Sequence, residues 1–131
     1  MSDPISVVRA FYDALGRGDV PGLLGKLHDN LEWTEAQGFP YYSGTWRSPQ
    51  EVLDKLLVPL SRDWDGFSAK VHDFIAQGDR VVSLGEYSGK YKATGKSMTA
   101  PFAHVWKVRD GRLARFDMYT DTAKVLEALK T

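Results

Sequence analysis

Three ionisable side chains of this 131-residue sequence stand in apolar, strand-like surroundings: Glu35, Glu86 and His104. Glu35 alternates with Leu31 and Trp33, so these three are expected to share one face of a strand. A carboxyl group among apolar side chains has a raised pKa, which suits an acid or base working near neutral pH. Glu35 is therefore predicted to be a general base; the alternative is a strand-end glutamate that pairs with an arginine or lies exposed.

Glu86 lies in the middle of a later strand and shares a face with Val82 and Leu84. Burial of an unpaired charge is unfavourable, so a charge on an apolar face is informative. The glutamate either forms a hydrogen bond with a ligand, as a second catalytic candidate, or pairs with Arg80 or Lys92 on the sheet.

His104, the third catalytic candidate, alternates with Phe102 and Trp106, while Ala103 and Val105 occupy the opposite face. The strand pattern separates these two sets but does not tell which faces the protein interior. A structural or interface histidine and a catalytic one are both compatible with it, and a β-bulge would exchange the two faces.

Other classes of site find no support in the composition. The chain has no cysteine, and neither His28 nor His72 belongs to a metal-ligand spacing, so no metal is predicted. No glycine-rich phosphate or dinucleotide loop is present, so no cofactor is predicted. The 17 basic and 17 acidic residues balance, which argues against a nucleic-acid partner. There is no apolar run of about 18 residues and no signal-like start, so a cytoplasmic protein without a membrane span is expected.

The elements that must position these residues are predicted to be helices first and strands later. Helix starts are indicated at Ser2 or Asp3, at Asp19, and at Ser48, which opens a Ser-x-x-Glu capping box; Pro59 should kink or end that third helix. A first strand covers 31–35, four antiparallel strands cover 67–77, 80–92, 98–108 and 112–119, and a short helix follows Asp121. This order predicts one α+β domain over residues 1–131, with helices packed on one face of a curved antiparallel sheet that forms a cone.

Several strings, in this order, resemble the nuclear-transport-factor-2-like superfamily, and more closely its ketosteroid-isomerase-related and SnoaL-like (polyketide-cyclase-like) members. They are VVRAFY (7–12), GD (18–19), LEW (31–33), YSG (42–44), SPQEV (48–52), APFAHVW (100–106), DGRL (110–113) and YTD (119–121). The resemblance implies the cystatin-like, ketosteroid-isomerase-like cone, and it implies a homodimer that forms through the outer face of the sheet.

Position by position, the resemblance places the isomerase base at Glu35 and replaces the oxyanion-hole tyrosine by Phe11. The protonated aspartate of that hole falls on Ala103, and a supporting tyrosine falls on Leu56. The pocket aspartate of the cyclases falls on Met118, or on Asp117 if the register slips by one residue. If Ala103 faces the cavity, then Phe102, His104 and Trp106 face outward and form the dimer surface.

Aromatic residues make up 12% of the chain, which is compatible with a pocket for a small hydrophobic molecule. The predicted substrate-binding residues are Phe11, Tyr12, Leu15, Trp33, Phe39, Tyr42, Leu56, Trp64, Ala103, Phe116 and Met118. The predicted function is acid–base chemistry of the isomerase, cyclase or lyase type on a hydrophobic carbonyl compound. The alternatives are a non-catalytic module that binds a small hydrophobic ligand and a protein-interaction scaffold.

Overall fold

The computed structural model describes residues 3–131 of the chain, and helices precede strands as predicted. The helical elements are α1 (Pro4–Arg17), α2 (Val20–Gly25), α3 (Pro49–Val52), a π-helical turn (Leu53–Leu57), α4 (Val58–Asp63) and α5 (Thr122–Leu129). The strands are β1 (Leu27–Thr34), β2 (Thr45–Trp46), β3 (Trp64–Gln77), β4 (Arg80–Tyr91), β5 (Ser97–Arg109) and β6 (Arg112–Thr120). The α+β fold class is confirmed.

The strands form one curved, open sheet in the order β2-β1-β6-β5-β4-β3. Strands β3 to β6 form the predicted antiparallel meander, and register shifts in β3 mark the bulges that help a long strand to bend. Strand β1 lies parallel to β6, with Trp33 opposite Phe116. The end of β1 is thereby placed beside the middle of the sheet, and Glu35 follows directly after it.

Polar caps begin the helices where the sequence indicates. Asp3 is the N-cap of α1, although its side chain accepts no capping hydrogen bond, and the alternative cap Ser2 lies outside the described residues. The Ser48 side chain accepts a hydrogen bond from the backbone N–H of Glu51, and Asp19 caps α2 in the same way. These caps satisfy N–H groups that the first helical turn leaves without a partner.

Pro59 does not end its helix, which continues to Asp63. A proline inside an α-helix clashes with the carbonyl four residues earlier, here that of Lys55. The π-helical turn contains Lys55, and its wider winding accommodates the ring. The segment from α3 to α4 buries Leu56 and packs Leu57 and Leu60 against the core.

Helix α1 packs against the concave face of the sheet and buries Val7, Val8, Phe11 and Ala14 there. The buried residues of β4, β5 and β6 alternate along each strand, so one sheet face belongs to the core and the other is more exposed. Within residues 3–131, no helix has the length and the apolar character needed to cross a membrane.

Candidate active site

A cavity of about 570 Å³ lies between α1, the α3–α4 segment and the concave face of the sheet. A volume of this size suits a small organic ligand. Eight of the predicted substrate-binding residues line it: Phe11, Tyr12, Leu15, Trp33, Phe39, Leu56, Trp64 and Phe116. The walls are largely aromatic; the Trp33 and Phe116 rings, for example, pack with centroids 3.9 Å apart.

Glu35 lines the cavity and is 5% exposed. The indole Nε1 of Trp33 donates a hydrogen bond of 2.8 Å to Glu35 Oε2. Burial raises the pKa of Glu35 to about 8, and the Trp33 hydrogen bond offsets part of that rise. At pH 7 the carboxyl group is therefore mostly protonated. Among the described residues Oε1 has no hydrogen-bond partner, and it is not sealed from the cavity.

Opposite this carboxyl, buried polar side chains form a continuous hydrogen-bonded chain. Trp106 Nε1 donates to Ser83 Oγ at 2.9 Å, and Ser83 Oγ lies 2.7 Å from the Tyr12 hydroxyl. Tyr12 also bonds His104 Nδ1, and Tyr87 bonds His104 Nε2 at 2.6 Å. Tyr12, Tyr87 and His104 all line the cavity.

Burial also sets the protonation states of the side chains in this hydrogen-bonded chain. It lowers the pKa of His104 well below its ordinary value, so the imidazole is neutral. It raises the pKa of Tyr12 and Tyr87, and the nearby charge of Glu35 raises that of Tyr87 further. Both phenols therefore keep their protons at neutral pH.

The predicted orientation of β5 is wrong. His104 is 4% exposed and lines the cavity with Trp106, and Phe102 is buried on the same face of the strand. Ala103 lies half-buried on the outer face and does not line the cavity. The alternation along the strand is as predicted, but the packing of α1 against the aromatic side decides which side is inside. These three inward residues cannot form a dimer surface.

Glu86 also lies outside the cavity. It occupies the outer face of β4 and is half-exposed, with its Oε1 3.8 Å from Nε2 of His72. The expected pairing with Arg80 or Lys92 is not formed. The Val82–Leu84–Glu86 face is the more exposed one because the alternate residues of β4, from Val81 to Tyr87, are buried against the core.

Three further predicted positions do not line the cavity. Tyr42 is 37% exposed on the loop between β1 and β2 and does not line the cavity, although Phe39 of the same loop does. Met118 is buried in the core, where it pairs with His104 in the strand register, but does not reach the cavity. Asp117, the alternative after a one-residue slip, lies on the other face of β6 and forms an ion pair with Arg115 at 2.9 Å.

Sequence reasoning missed Ser83, Tyr87 and Trp106. A usable signal is the connection between β4 and β5, residues 92–96, because a turn between two strands determines which residues face each other. In the observed register Ser83 lies opposite His104. Within residues 3–131, no three His, Asp or Glu side chains come together as a metal site would require.

Comparison with known proteins identifies the family. Residues 8–116 match the sequence model of the SnoaL-like domain. The chain belongs to the SnoaL-like family. The resemblance inferred from the sequence is thereby confirmed. No curated protein matches this SnoaL-like chain significantly.

Solved structures share the whole fold of this SnoaL-like protein. An NTF2-like protein from Burkholderia thailandensis E264 is 37% identical, with a TM-score of 0.95 and 100% of both chains covered. TerC, co-crystallised with polyporic acid, is 27% identical, with a TM-score of 0.87 and 99% of this chain and 100% of TerC covered. An LEH-like epoxide hydrolase from M. tuberculosis is 22% identical, with a TM-score of 0.76 and 96% and 88% covered; this likeness shows the fold alone.

Proposed function

We propose that this SnoaL-like protein catalyses proton transfer on a small hydrophobic carbonyl compound, in chemistry of the isomerase, cyclase or lyase type, with Glu35 as the proton carrier. One observation carries the proposal: a carboxyl group with a pKa of about 8 lines an aromatic cavity and has one oxygen free of protein hydrogen bonds. A glutamate exposed on the surface would not combine these features.

The chemistry follows from the position of that carboxyl. In its ionised form, Glu35 removes a proton from the carbon next to a ligand carbonyl; in its protonated form, it returns the proton to another atom. A proton carrier works best when its pKa lies close to the working pH. The Trp33 N–H holds the carboxyl in one orientation while Oε1 faces the ligand.

The walls of the cavity support a hydrophobic substrate. Apolar and aromatic side chains surround the polar groups, as in most small-molecule sites. The TerC co-crystal with polyporic acid is further support, because a relative with 27% identity over its whole length takes a small organic molecule. We therefore infer a flat, ring-containing carbonyl compound as the substrate class.

The test is hydrogen–deuterium exchange at the carbon next to the carbonyl, followed by proton NMR on a panel of hydrophobic cyclic ketones. Glu35→Gln keeps the size of the side chain but cannot carry the proton, so we expect a loss of about 100-fold or more in the exchange rate. The matched control is Glu32→Gln, a half-exposed residue of β1 that pairs with Arg47 and does not line the cavity.

The wild-type rate should rise with pH and level off above about 8, because the ionised Glu35 is the base. Exchange by Glu35→Gln at the wild-type rate would overturn the assignment of the base.

A second candidate is a non-catalytic module for a small hydrophobic ligand, favoured by the TerC co-crystal. Polyporic acid itself is the probe, with binding followed by quenching of the fluorescence of Trp33 and Trp106 in the cavity wall. Equal binding to wild type and Glu35→Gln, with no exchange on the ketone panel, would favour the binding module over the enzyme.

A further inference from the structure

We infer that the Tyr87 hydroxyl donates its proton into the cavity and forms there a recognition site for an oxygen atom that carries negative charge, because every group of the buried hydrogen-bonded chain behind it is satisfied within the protein when the protons point toward Tyr87. The role of this site beside Glu35 rests on the proposed function, but the direction of the chain does not. Each donor of the hydrogen-bonded chain must find an acceptor, so the protons can be counted from one end to the other.

The hydrogen-bonded chain starts at Trp106, whose indole N–H can only donate. It donates to Ser83 Oγ, and the serine side chain is fully buried. The hydroxyl proton of Ser83 then needs an acceptor, and among the described residues its only other partner is Tyr12. A buried donor without an acceptor is unfavourable, so Ser83 donates to Tyr12.

Tyr12 then has one proton left, and its remaining partner among the described residues is His104 Nδ1, which accepts that proton. The neutral imidazole has one acceptor nitrogen and one N–H. Since Nδ1 accepts from Tyr12, the proton of His104 lies on Nε2 and is donated to the Tyr87 oxygen at 2.6 Å. No described side chain accepts the proton of Tyr87, so its O–H is left for a ligand in the cavity.

The opposite direction has two possible outcomes at its far end. If Tyr87 donated to His104 Nε2, then Nδ1–H would donate to Tyr12, and the Tyr12 proton would point either to Ser83 or into the cavity. In the first case Ser83 would accept two hydrogen bonds while its own buried proton had no acceptor. In the second case the donor into the cavity would be Tyr12, and His104 would carry its proton on Nδ1, which the tautomer measurement below detects. In that direction Tyr87 would also have no proton to offer a ligand.

The surroundings of the hydroxyl define the class of ligand oxygen. No lysine or arginine is among the described residues that line the cavity, so a compact, highly charged group such as phosphate would lack a counter-charge. Neutral donors suit an oxygen whose negative charge is spread over a conjugated system, as in an enolate or a phenolate. Hydrogen bonds in series polarise one another, which strengthens the donation by Tyr87.

Nitrogen NMR of the protein with labelled histidine tests the direction without any ligand or turnover. We expect His104 to show the Nε2–H tautomer in the wild type, and a mixture of both tautomers in Tyr12→Phe, which removes the donor to Nδ1. An Nδ1–H tautomer in the wild type would overturn the inference.

Binding of 2-naphthol, compared with naphthalene, tests the recognition site. We expect the wild type to prefer 2-naphthol by about tenfold, as one good hydrogen bond allows. Tyr87→Phe should abolish the preference while naphthalene still binds. The matched control is Tyr41→Phe, which removes a half-buried tyrosine hydroxyl that bonds Asp63 and does not line the cavity.

His104 is a positioning residue in this scheme, and its variants separate positioning from mere packing. His104→Gln keeps an amide N–H for Tyr87 and should retain most of the preference for 2-naphthol, whereas His104→Leu should lose it. An unchanged preference in Tyr87→Phe would overturn the inference. If 2-naphthol binds as expected but no ketone exchanges its protons, the proposed function fails and this site stands.

Discussion

Glu35 and His104 line one cavity, and burial drives their pKa values in opposite directions. Low polarity disfavours the charged form of each group, so the carboxyl keeps its proton to a higher pH and the imidazole loses its proton at a lower pH. Both side chains are thus neutral near pH 7. A neutral cavity can admit an apolar molecule and still supply one proton to take up or give away.

The free energy of unfolding should depend on pH through the pKa shifts of both Glu35 and His104. Glu35 has a native pKa of about 8 against 4.5 in the unfolded chain, so its contribution to the free energy of unfolding falls as the pH rises between these values. We expect Glu35→Gln to gain stability relative to wild type over that range, by about 5 kcal/mol at 1.36 kcal/mol per pH unit. Urea denaturation at several pH values measures the difference.

His104 should make the free energy of unfolding depend on pH in the opposite sense. Its native pKa is lowered, so its contribution is complete above the unfolded value of 6.5 and is lost as the pH falls below it. The wild type should therefore lose stability below pH 6.5, because the unfolded His104 takes up a proton there. His104→Gln has no such group, so its stability should fall less as the pH is lowered. For Glu35, a difference in the free energy of unfolding between wild type and Glu35→Gln that did not change with pH would contradict the burial of its carboxyl group.

At the scale of the elements, the contact between β3, β4 and β5 depends on Gly85. A Cβ atom there would lie 2.0 Å from the carbonyl oxygen of Lys70 and 2.8 Å from the ring of Phe102. The Phe102 ring in turn stacks on His104, with centroids 3.9 Å apart and planes 13° apart. The missing side chain thus allows close strand packing and indirectly holds the imidazole.

Gly85→Ala should destabilise the protein by roughly 3 kcal/mol, the upper range for overpacking, because backbone and a buried ring must both move. The control is Gly16→Ala in α1, where nothing lies within 4 Å of the new Cβ and alanine favours the helix by up to about 1 kcal/mol. Thermal unfolding of both variants measures the contrast. Equal stability of Gly85→Ala and wild type would show that the strands can separate there without cost.

At the scale of the whole molecule, the outer face of the sheet presents an apolar strip across three strands. Leu84, Ala103 and Tyr119 are neighbours in the strand register, and Ile75 lies close by, opposite Val82. Tyr119 is 60% exposed and Leu84 is 37% exposed. Contiguous apolar surface of this kind commonly marks a protein interface. The predicted homodimer stays a prediction, with these residues in place of Phe102, His104 and Trp106.

We expect the wild type to be a dimer in light scattering at micromolar concentration, and Leu84→Asp to be a monomer, because a buried unpaired carboxylate would oppose association. Leu126→Asp, at a leucine of α5 with a similar exposure of 39%, should leave the dimer intact. A monomeric wild type would end the prediction, and a dimeric Leu84→Asp would move the interface elsewhere.

Much of the fold follows from local pattern in the sequence. Caps such as Ser48, the alternation of Leu31, Trp33 and Glu35, and the turn at Asp110-Gly111 act through neighbouring residues, so they are visible without tertiary structure. The burial of Glu35 could be predicted for the same reason. Its role as the proton carrier stays a prediction.

The tertiary structure alone decided which face of β4 and β5 lies inside. Alternation divides the residues of a strand into two sets but assigns neither to the core, and the assignment depends on what packs against the sheet. The packing of α1 brought Tyr12 to Ser83 and His104, residues 71 and 92 positions away in the chain. A hydrogen-bonded chain between such distant residues has no local pattern, so only the folded molecule could reveal that Tyr87 faces the cavity together with Glu35.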